Sequence, residues 1–84
     1  MAIAPDVSSA EVSQQKQDTA QLLVAAEKNL KSVNRKLSRD EQAMVSQIKT
    51  YIAQSHKATS DKDFERAYNL ATKARLLSDA LVKK

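Results

Sequence analysis

Apolar residues recur in steps of three and four along most of this chain, and serines break the rhythm at three points. In the first segment Val12, Lys16, Thr19, Leu23, Ala26, Leu30, Val33 and Leu37 form one line. That spacing is a heptad seam, which turns one side of a helix toward a partner. Lys16 and Thr19 dilute its first half, and Leu22 broadens the stripe. In the second segment Met44, Val45, Ile48, Tyr51, Ile52, Ser55 and Ala58 share a face, opposite Gln42, Ser46, Lys49, Thr50, Gln54 and Lys57. In the third, Phe64, Ala67, Tyr68, Leu70, Ala71, Ala74, Leu77 and Leu81 cover nearly half the wheel. So wide an arc suits a helix packed between two others. Its alanines at 67, 71 and 74 would let a neighbouring helix come close.

Ser8, Ser38 and Ser60 each stand three residues before an acid, Glu11, Glu41 and Asp63. A serine at the N-cap accepts from the N3 amide, and a carboxylate at N3 reaches back to the N-cap amide. The spacing therefore predicts helices over about 8–37, 39–58 and 61–82. Two connectors are possible after the first helix. Asn34 takes the left-handed position glycine usually fills, or helix runs to Leu37 and turns tightly. Short links make neighbours antiparallel. The expected fold is all-α: an antiparallel up-down-up three-helix bundle with a long first helix, coiled-coil-like in its seam. The polar stretch around Gln14 to Thr19 is expected to overhang. The alternative is a continuous helix through residue 38 or 60, whose seams would pair between chains as a swapped assembly.

Composition sharpens this picture. There is no glycine, and the one proline, Pro5, precedes the first helix. Residues 1–7 are expected to be disordered, or a trimmed edge rather than a targeting segment. With 84 residues, no cysteine and three aromatics, the core must come from aliphatic side chains without help from a disulfide. No apolar run has the ~18 residues of a membrane span, and no signal peptide is expected. The compartment is not set by these features.

Candidate chemistry is sparse. His56 has no nucleophile and orienting group at a spacing that would build a catalytic set. It reads as a polar residue in the last turn of the second helix. Asp61 and Asp63 lack a calcium-loop pattern and read as first-turn acids of the third helix. Phosphate loops need glycine. Catalysis, cofactors and metal are not expected. Tyr51, Phe64 and Tyr68 could line a small pocket but read as core. Leu76 and Ala80 fall outside the main arc as a small exposed patch. The net charge is +4. Lys28, Lys31, Arg35, Lys36, Arg39, Lys83 and Lys84 would gather at one end of the bundle as an anion-binding pole. Cations at helix C-termini also serve the dipole alone, and no aromatic side chain interleaves for base stacking.

The stretch Asp63-Phe64-Glu65-Arg66-Ala67-Tyr68-Asn69-Leu70-Ala71-Thr72-Lys73-Ala74-Arg75-Leu76-Leu77 resembles the second helix of tetratricopeptide-type hairpins. It is also similar to the closing helix of small bacterial envelope proteins and lipoproteins. The likeness covers the last quarter of the chain. The Trp-Leu-Gly signature, an aromatic at Ala71 and a closing proline are missing, and a solenoid needs at least three repeats. The resemblance implies a helical interaction module, with a bacterial envelope location if an upstream signal has been removed, and carries over no ligand residue. The expected function is therefore non-catalytic protein–protein contact or self-association, with a homodimer as one form. The alternative is binding of nucleic acid or an anionic surface through the basic pole.

Overall fold

The computed structural model of the chain describes the backbone of residues 7–83 and the side chains of 11–83. Of the expected disordered stretch 1–7, residues 1–6 lie outside the described residues, as does Lys84, and Val7 is instead the first residue of a helix. Three helices follow in order: α1 (Val7–Ser32), α2 (Arg39–Ser60) and α3 (Phe64–Lys83). They form an all-α three-helix bundle, and α1, at 26 residues, is the longest.

The helix α3 is the spine. Both α1 and α2 lie along it, yet they touch each other little. The cause is side-chain size. The inward stripe of α3 is Ala67, Ala71, Ala74 and Ser78, all buried. Interaxial distance follows the residues at the contact, so two backbones can approach this stripe closely. On the sides of α1 and α2 the core is built of larger residues, Leu23, Leu30, Val45 and Ile52. Ile48 and Leu81, both 0% exposed, are the largest fully buried side chains of the core.

Buried polar bonds fix the register. The Ser55 hydroxyl donates to the Ala67 carbonyl at 2.7 Å, tying α2 to α3. Asn29 of α1 donates to Ser78 Oγ at 2.9 Å and to Asp79 Oδ1 at 2.7 Å, tying α1 to α3. Ser78 in turn donates to the Arg75 carbonyl at 2.9 Å. A slip of one residue would strand the buried Ser55 hydroxyl and the half-buried Asn29 amide, and an unpaired buried polar group is costly.

The helix ends differ from the expected ones in instructive ways. The second start is as expected: Ser38 caps α2, and its hydroxyl and Glu41 form a capping box. Ser38→Ala should lower stability by about 0.5–2 kcal/mol, read from a urea melt. At the first, α1 begins at Val7, so Ser8 lies in its opening turn rather than ahead of it. At the third, the expected cap is wrong. Ser60 is the last residue of α2, and Asp63 caps α3 by accepting from the Arg66 amide at 3.4 Å. Asp61 is the C-cap of α2 and pairs with Lys57 at 3.5 Å, so it is no part of α3.

The left-handed residue is Lys62 (φ 64°) rather than Asn34. The Lys62 amide donates to Thr59 and the Asp63 amide to Ala58, the two bonds of a Schellman ending. Holding a side chain in that region costs roughly 1–2 kcal/mol. Lys62→Gly should therefore raise the melting temperature, with a net gain of about 1 kcal/mol after glycine's own entropy cost. A loss of stability would show that the turn is not left-handed in solution.

The first helix stops at Ser32, and neither expected connector forms. Residues 33–38 instead run as a non-helical link. Val33 and Leu37 still pack on the core from it. The overhang is also shorter than expected. Thr19 is buried, and Lys16 already sits over the Phe64 ring at 4.8 Å, so only the turns before about residue 15 project.

Candidate binding surface

At one end of the bundle the link 33–38 crosses from α1 to α2 beneath the last turn of α3. Arg35 anchors the crossing. Its guanidinium donates to both Glu41 oxygens, at 3.1 and 2.9 Å, and to the Leu81 carbonyl at 3.3 Å. One side chain thus holds the link, the start of α2 and the end of α3 together. A bidentate pair of this kind needs the planar fork of arginine. Glu41 is 8% exposed and also accepts from the Ser38 amide.

These donors hold the Glu41 carboxyl down from its ordinary 4.5 to about 2, chiefly through the Arg35 bond and then the Ser38 amide. The Arg35 guanidinium is pushed up by the same bond. A depressed acid adds stability that is fully present above its unfolded pKa and is lost as pH falls through the folded one. The contribution should therefore fade between about pH 4.5 and 2. Glu41→Gln should flatten the pH dependence of the unfolding free energy in that window and nowhere above it.

Arg35 is consequently no free member of the basic pole. Among the described residues Lys28, Lys31, Lys36, Arg39 and Lys83 are exposed and form no ion pair. Through Arg35 the crossing joins the start of α2 to the last turns of α3 at this end of the bundle.

A second feature was not visible in the sequence. Because α3 keeps α1 and α2 apart, an open cleft of about 400 Å³ lies between them, lined by Glu27, Leu30, Lys31, Lys49 and Ile52. Farther along the same seam is a cavity of about 120 Å³, whose lining includes Ala20, Leu23, His56 and Phe64. Lys31 and Lys49 face across the cleft from opposite helices, and Val24 of α1 is 62% exposed.

Comparison with family models, curated proteins and solved structures finds no match to this chain.

The remaining candidates are dispersed. His56 is exposed in the closing turns of α2. Tyr51, Phe64 and Tyr68 share no pocket: Tyr51 packs on the core under Lys73, Phe64 lies under Lys16, and Tyr68 is exposed on the α1–α3 flank. Leu76 and Ala80 are exposed on the back of α3. No group of three or more metal-ligating side chains gathers among the described residues. None of the described helices is long and apolar enough to cross a membrane.

Proposed function

We propose that the chain is a non-catalytic helical module that works by contact with other proteins or with copies of itself. The observation that carries this reading is the open seam between α1 and α2. The seam runs beside the core, with Leu30 and Ile52 in its floor. Grooves between helices are a recurrent way of holding another helix.

A photo-cross-linking residue placed in turn at Val24, Gln54 and Leu76 samples three flanks of the bundle. Polypeptide adducts concentrated at one position support the module. Adducts to nucleic acid only, or none at any position, would overturn it. Light scattering across a concentration series then separates a chain that stays at 9.3 kDa from one that pairs with itself.

The second reading, an anion-binding pole, draws on the five cations that are unpaired among the described residues, Lys28, Lys31, Lys36, Arg39 and Lys83. Counterion release would make such binding fall steeply with salt. Titrating single-stranded DNA at two salt concentrations tests it, and affinity that ignores salt or is undetectable removes it.

A further inference from the structure

We infer that the α1–α2 seam takes an acidic amphipathic helix of a partner protein. The inference rests on the interaction-module reading and assigns it a site and a partner chemistry. Shape is the first argument. The cleft at Leu30 and the cavity at Ala20 lie on one seam about ten residues apart along α1. Ten residues of helix rise roughly 15 Å, or nearly three turns. Helix backbone groups are spent within α1 and α2, so no strand edge is offered to an extended peptide. Side chains entering between two ridges are the remaining mode, which favours a helix.

Charge is the second argument, and it names the partner. Lys31 and Lys49 line the cleft from its two walls, and Lys16 and His56 line the cavity beyond it. Among the described residues Glu27 is the one acid lining either space. The α1–α3 flank differs: its two hollows are lined by two acids, Glu11 and Asp18, and one cation, Arg75, which is paired with Asp79. The α1–α2 seam is the more basic of the two flanks. A helix with leucines toward Leu30 and Ile52 and glutamates toward Lys31 and Lys49 satisfies both floor and rim. A polyanion would use the rim and leave the apolar floor wet. A second copy would have to bring its acidic flank to this basic one, a head-to-tail contact that builds rings or open filaments rather than a two-fold dimer.

The test uses the isotope-labelled full chain and three synthetic peptides of about 14 residues, long enough for four turns. One carries leucines at i, i+3/i+4 and i+7 with glutamates on both flanks. The second has the same residues in an order that destroys the spacing. The third replaces glutamate with lysine. Saturable amide shifts around Leu30, Lys31, Lys49 and Ile52 are expected with the first peptide alone. Affinity should fall roughly tenfold or more in the Lys31→Glu, Lys49→Glu double variant, whose substitutions are at exposed positions.

Equal binding of the reordered or the lysine peptide, shifts on the back of α3, or no saturable shift would overturn the proposal. So would the same shifts produced by single-stranded DNA or phosphatidylserine vesicles. Should cross-links form at Leu76 or Gln54 instead, the interaction module would stand and this site would fall.

Discussion

Ile48→Ala should destabilise the bundle by about 2–5 kcal/mol, the range for removing a large aliphatic side chain from a closed core. Ile48 has no exposed surface and belongs to the cluster that joins all three helices. Its removal would leave a void in the cluster it shares with Leu23 and Ala26 of α1 and Ala71 and Ala74 of α3, and a closed core relaxes only partly around such a void. For 84 residues the whole stability is about 4–12 kcal/mol. The loss is therefore a large part of the total. In urea the midpoint should drop sharply with the slope unchanged. Val24→Ala, at an exposed site, should stay within about 0.5 kcal/mol. Equal effects at the two positions would mean that Ile48 is not interior.

Ala71→Leu should also destabilise, by about 1–3 kcal/mol, although it adds apolar surface. Ala71 is fully buried in the stripe on which both neighbours rest. Three extra carbons there must push α1, α2 or both outward. That breaks the geometry on which the Ser55–Ala67 and Asn29–Ser78 bonds depend. The direction distinguishes a spine made of small residues from a loosely packed core, in which added bulk would stabilise. Leu76→Ala, on the exposed back of the same helix, serves as the control and should change stability by less than about 0.5 kcal/mol.

The stripe was legible in the sequence because alanines at 67, 71 and 74 keep helical spacing on a wide apolar arc. So was the start of α2, where Ser38 and Glu41 leave one reading of the punctuation. The third start was ambiguous. Ser60 and Asp63 are both acceptable N-caps, and the same pair of residues fits either role. The choice was made by Lys62, whose left-handed turn ends α2 and delivers Asp63 to cap α3. Lysine in that conformation has no sequence signature.

The end of α1 was hidden for a different reason. Val33 and Leu37 continue the three-and-four spacing because both reach the core, one just past the helix and one from the link. Periodicity records burial, not backbone conformation. Arg35 looked like one cation among several because its partners, Glu41 and the Leu81 carbonyl, become neighbours only when the link folds. The cleft is a consequence of the difference in side-chain size between two interfaces, and no single helix carries that information.

A nuclear Overhauser experiment on a sample mixed from labelled and unlabelled chains tests the central arrangement most directly. Within one chain, methyl contacts should join the Ala71 and Ala74 stripe to α1 and to α2, with no helical amide pattern over residues 33–38. If those contacts appear only between chains, or the helical pattern runs unbroken from α1 into α2, the single-chain bundle built on α3 is contradicted.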